Sequence, residues 1–159
     1  MVGTWGWTRL GGVLVLAGGL VAAAHGCKST TTKPPPPPPD CSSVADTTQP
    51  ATVSYQADIL PLFATERYHC GDSGCHGAPL ISSDFSVSTY EDLFHRGLEA
   101  VNKGMCTIRP GAPDESYFVW KIESRPGIEG ARMPNTFPAM DPADIQLIRT
   151  WIAEGARNN

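Results

Sequence analysis

The sequence predicts an all-α domain with long Gly/Pro-rich loops over residues 51–159, and three observations carry that prediction. Apolar residues recur at helical spacings in several short segments. No segment alternates apolar and polar residues for the length of a strand. Sixteen glycines and fifteen prolines punctuate the chain.

The first segment is Tyr55–Tyr68, where Ile59, Leu60, Leu62 and Phe63 fall at helical spacings. Pro61, in its first turns, counts against an unbroken helix because it lacks an N–H to donate. Thr89–Leu98 reads as a second short helix with Tyr90, Leu93 and Phe94 on one side. Asp114–Glu123 reads as a third, introduced by Pro113 and supplied with apolar surface by Tyr117, Val119, Trp120 and Ile122. The last is the clearest. Asp141-Pro142 gives an N-cap and a proline at the first helical position, and Ile145, Ile148, Trp151 and Ile152 form a stripe ending near Gly155. Trp151 and these isoleucines are expected in the core, against the first helix.

The chain before residue 51 has a different character. Residues 1–26 carry one charged side chain, Arg9, and an apolar run from Leu10 to Ala24. Its 15 residues fall short of the ~20 that span a bilayer and suit the core of a signal peptide. The run ends at Ala24-His25-Gly26-Cys27, which resembles a bacterial lipoprotein signal, with Cys27 the lipidated residue. An uncleaved membrane anchor is the alternative; either way the remainder is expected to be exported. Residues 27–50 then form a linker, with Pro34–Pro39 favouring an extended polyproline II rod that holds the domain away from the membrane.

Charge excludes one class of partner. Twelve Lys and Arg against sixteen Asp and Glu, without a basic cluster, do not suit nucleic acid. The net charge of −4 favours partners with basic patches. No nucleophile–base–acid constellation or Gly-rich phosphate loop is present, so the chain is not read as an enzyme.

Chemistry concentrates in His69-Cys70-Gly71-Asp72-Ser73-Gly74-Cys75-His76-Gly77. Two thiols followed at once by an imidazole is the arrangement that fixes c-type haem: the thiols add to the porphyrin vinyls, and the histidine binds the iron. Two residues usually separate the cysteines; here there are four, and Gly71 and Gly74 are expected to let Cys70 arch over the longer loop. His76 is the candidate proximal ligand. An exported chain oxidises or uses its thiols. With Cys27 lipidated and Cys70 and Cys75 on haem, Cys41 and Cys106 remain as a possible disulfide. The count closes equally well with two disulfides, Cys70–Cys75 and Cys41–Cys106, and no haem. A tetrahedral zinc site from Cys70, Cys75, His76 and either His69 or Cys106 is a weaker rival, because no second paired knuckle is present. A buried haem also accounts for loops otherwise long for a compact domain, since irregular segments can wrap it.

The order of helix, Cys-Cys-His, loops and helices, Met-Pro segment and terminal amphipathic helix resembles class I cytochromes c. The resemblance is closer to the small cytochrome c-like domains of exported bacterial proteins, often called planctomycete-type. The matching residues are Ile59-Leu60-Pro61-Leu62-Phe63, Gly74-Cys75-His76-Gly77, Arg109 to Tyr117, Arg132-Met133-Pro134, and Trp151 to Ala156, spanning residues 55–157. The four-residue spacer departs from the family's usual pattern. The resemblance implies one covalent haem c on Cys70, Cys75 and His76. It also places the sixth iron ligand at Met133, where a thioether raises the potential and suits electron transfer. Met140 and then His95 are the fallbacks, and Met133 as an ordinary packed loop methionine stays open. Arg109 and Arg132 are read either as partners of the haem propionates or as loop anchors.

The sequence is therefore read as an exported, membrane-tethered monohaem c-type cytochrome domain that exchanges single electrons with a redox protein of the bacterial envelope. Its location is the periplasm or cell surface, through a lipid anchor. The alternative is a non-haem envelope lipoprotein module of the same fold, held by the two disulfides, with a binding or scaffolding role.

Overall fold

The computed structural model describes residues 3, 37–42, 50–64, 66–77 and 82–159. The chain divides into two units, Met1–Pro35 and Pro36–Asn159. The first, apart from Gly3, lies outside the described residues, as do the expected signal segment, Cys27 and the first half of the proline run. The second unit holds the folded domain.

Among the described residues the domain is helical, with two isolated bridges and no strand. Ser54 opens the first element. Its hydroxyl accepts the Ala57 N–H while the Asp58 carboxylate accepts the Ser54 N–H, a reciprocal cap. A π-helical turn, Tyr55–Ile59, then passes directly into α1, Leu60–Ala64. The helix stops short of the expected end at Tyr68, and the Phe63 carbonyl is taken by the Gly71 N–H at 3.1 Å. The end of α1 thus seats the Cys-Cys-His loop.

The expected helix Thr89–Leu98 is corrected. Only a 3₁₀ turn, Glu91–Phe94, forms there, His95 is extended, and a separate helix α2 spans Leu98–Asn102. Gly97 is the break. A Cβ on it would lie 2.8 Å from the Phe85 Cβ, so the chain leaves the helix to lie against Phe85, and the Gly97 N–H bonds the Thr107 hydroxyl. The third segment also divides, into a 3₁₀ turn Pro113–Glu115 and α3, Tyr117–Glu123. Ser116 between them is extended and buried, its hydroxyl bridging the Arg109 N–H and the Ala112 carbonyl. α4, Pro142–Ala153, has the expected bounds. Asp141 occupies the N-cap position but makes no cap bond; its carboxylate is held by Arg67 instead.

The core lies where α4 meets the first helical segment. Trp151 stacks on Tyr55 with centroids 5.7 Å apart, and Ile59, Ile148 and Ile152 close around them without solvent exposure. Cys41 and Cys106 form a disulfide that fastens the expected linker, at residue 41, to the buried segment 106–108.

Candidate functional site

The Cys-Cys-His loop is wound by its own backbone. The Cys75 and Gly77 N–H groups bond the Asp72 carbonyl, and the His76 N–H bonds the Cys70 carbonyl at 3.1 Å. Gly74 adopts a φ of +87°, open to glycine and strained for other residues. Gly77 is required for another reason: a Cβ there would fall 1.9 Å from the Gly71 oxygen, so the loop's two ends touch backbone to backbone. The sequence pattern points to Gly71 and Gly74 for the arch; the pinch at Gly77 leaves no signal in it.

This loop forms one wall of a cavity of about 300 Å³, at the lower end of ordinary ligand pockets. Cys70, Cys75 and His76 line it, as do Met133 and Met140 from a distant segment of the chain. Phe85 and Phe118, whose rings meet edge to face at 6.1 Å, supply apolar surface between them. The four cofactor-binding residues expected from sequence, 63 positions apart at the extremes, therefore share one cavity.

The His76 ring is oriented. Its Nδ1 lies 3.0 Å from the Phe85 carbonyl oxygen, which only accepts. In the neutral ring Nδ1 then carries the proton, and Nε2 keeps the lone pair that can bind a metal. Phe85 also packs its ring edge-on against the imidazole at 5.2 Å. Sequence could not disclose the hydrogen bond, since any residue's carbonyl would serve.

Cys70 and Cys75 are free, partly buried thiols in this structure. Burial, and then the neighbouring Cys75, push the Cys70 thiol up to about 11, so it stays protonated at neutral pH. With Cys106 committed to Cys41, no three His, Cys, Asp or Glu side chains among the described residues are grouped to hold a metal. The tetrahedral zinc set is not assembled.

Other candidates resolve differently. His95 is exposed beside Asp84 and lies outside the cavity. Arg109 pairs with Glu115 on the surface, and Arg132 donates to the Met133 and Phe137 carbonyls. Neither arginine lines the cavity. His69 does line it: its Nδ1 faces Asp72 at 2.6 Å, and its ring stacks on Phe137 at 4.2 Å. That stack joins the thiol loop to the methionine segment. Tyr68 joins them again, its hydroxyl donating to Asp144 and accepting the Asp141 N–H.

No family model, no curated protein and no solved structure matches this chain.

Proposed function

We propose that the chain is an exported, membrane-tethered monohaem c-type cytochrome domain that carries single electrons to or from an envelope redox protein. One observation carries the reading: two free thiols, an imidazole with its Nε2 lone pair available and a methionine from a distant segment line a single, largely apolar cavity. These are the donors a covalently attached, axially ligated haem c uses. Haem, when bound, supplies an iron that changes oxidation state by one electron.

The chain's own residues do the rest. The Cys70 and Cys75 thiols would hold the haem, each by adding its S–H across one of the two vinyl double bonds, so that no atom is lost from either partner. The Phe85 carbonyl fixes the His76 tautomer and raises the basicity of the ligating nitrogen. Met133 offers a soft donor that favours the reduced metal. Phe85 and Phe118 exclude water and lower the local dielectric. The lipid anchor at Cys27 and the proline linker keep the domain within reach of a membrane partner.

The test is the intact mass of the exported protein, made in a host with c-type haem maturation and measured under denaturing conditions. An increase of one whole haem that survives unfolding, and is lost in His76→Ala or Cys75→Ala, is expected. A mass reduced only by the hydrogens of two disulfides would sink the cytochrome reading and leave the disulfide-held envelope module.

A further inference from the structure

Lys121 is the only lysine or arginine among the described residues that line the cavity, and its side chain is 8% exposed. A buried ammonium needs a partner. It has two: the Glu99 carboxylate at 2.7 Å and the Glu129 carbonyl at 2.7 Å. Glu99, on α2, also lines the cavity, and its other oxygen accepts from the Ser83 hydroxyl at 3.3 Å. The main chain of Lys121 makes a further bond, its carbonyl accepting the Met133 N–H at 3.0 Å. One residue of α3 thus grips residues 129–133 at both ends, by its ammonium at Glu129 and its carbonyl at Met133. Glu129 is held in turn, its N–H bonding the Tyr117 hydroxyl and its carboxylate the Asn102 amide. Gly130 lets the segment pass over the pair: its φ is +64°, and a Cβ there would lie 3.5 Å from Glu99 and 3.8 Å from Lys121 Nζ.

We infer that Glu99 and Lys121 are a positioning pair for Met133, which holds the methionine segment across the cavity and keeps the net charge of the cavity wall near zero. The inference rests on the cytochrome reading for its redox consequence and on the hydrogen bonds alone for its positioning consequence. A charge-neutral wall matters at a metal whose charge changes by one, because an uncompensated ammonium favours the reduced state and an uncompensated carboxylate the oxidised one.

Two measurements separate these claims. Amide hydrogen exchange on the apoprotein, residue by residue, reads positioning without haem. Lys121→Met is expected to accelerate exchange at Met133 while leaving the Ile148 and Ile152 amides of α4 as protected as before, which also shows that the fold survives. The midpoint potential and the thioether-to-ferric-iron absorption of the haem-loaded protein read the charge. Glu99→Gln, which keeps hydrogen-bonding capacity, is expected to retain that absorption and raise the midpoint. Lys121→Met is expected to weaken the absorption and lower the midpoint. Unchanged exchange at Met133 in Lys121→Met, or midpoints that move the same way in both variants, would overturn the inference. If the wild type carries no haem, the cytochrome reading fails, and the exchange experiment still decides the positioning claim.

Discussion

The Cys41–Cys106 disulfide permits the most direct energetic test of this architecture. It closes a loop of 65 residues, and constraining the unfolded chain over that length is worth about 4 kcal/mol in the loop-entropy description. Among the described residues, the neighbouring Ser42 bonds the Asp40 carboxylate by its N–H and its hydroxyl, a local contact within the segment itself. Removing the disulfide therefore costs mainly the loop constraint, plus the small packing change at Cys106, which is 1% exposed. The double variant Cys41→Ser/Cys106→Ala avoids leaving one thiol to mispair with Cys70 or Cys75. Its urea unfolding free energy is expected to fall by about 4 kcal/mol, a large part of a small domain's total. The wild type under reducing conditions should unfold close to the double variant. A loss below about 1 kcal/mol would refute the reasoning, since it would mean that this covalent loop does not restrain the unfolded chain.

Two further outcomes concern the loop and the Glu154 carboxylate at the C-terminal end of α4. Gly77→Ala, whose methyl would strike the Gly71 oxygen, is expected to cost about 3 kcal/mol in urea unfolding and to reduce haem attachment read by mass. Gly74→Ala meets nothing within 4 Å and costs only its positive φ, about 1 to 2 kcal/mol, so the order of the two losses is the check. Glu154 is held below its ordinary 4.5 by the Thr52 hydroxyl first, with the Val53 and Thr52 N–H groups adding to it. A carboxylate depressed in the folded state contributes stability that is complete above its unfolded value and is lost as pH falls through the folded one. The wild-type urea midpoint is therefore expected to fall more steeply than that of Glu154→Gln from about pH 5 downward, and parallel curves would refute the assignment.

The parts of this fold legible in the sequence are those written in local side-chain chemistry. Asp141-Pro142 and the stripe from Ile145 to Ile152 mark α4 and its bounds. Cys70, Cys75 and His76 declare themselves by spacing. The helix expected at Thr89–Leu98 fails because the break at Gly97 serves a distant contact with Phe85, and a lone glycine near a helix end does not disclose what it lies against. The site's supporting partners are hidden for related reasons. The acceptor for His76 is a backbone carbonyl nine residues away, and the partner of Lys121 lies 22 residues away on another helix. Lysine is rarely buried, so a charged residue amid the apolar positions of α3 reads as solvent-facing until its pair is known.

The distribution of packed and open space gives these observations a common physical sense. On the α4 side, Tyr55, Ile59, Ile148, Trp151 and Ile152 fill one another's space and leave nothing exposed beyond 2%. On the other side, Phe85, Phe118, Val87 and Met140 line a cavity. A small domain buries a smaller fraction of its chain's surface than a large one and has little stability to spare. Aromatic walls left facing open space forgo contact energy that a packed core would have gained. Two kinds of restraint stand against that loss. The disulfide ties residue 41 to the buried segment that precedes α3, and polar and ring contacts at Tyr68, His69 and Lys121 hold the thiol and methionine sides at a set separation. Any ligand that fills the cavity adds a third, because binding to the folded state alone shifts the unfolding equilibrium by mass action. Cys70 and Cys75, free thiols in the wall, are the side chains placed to bond such a ligand covalently.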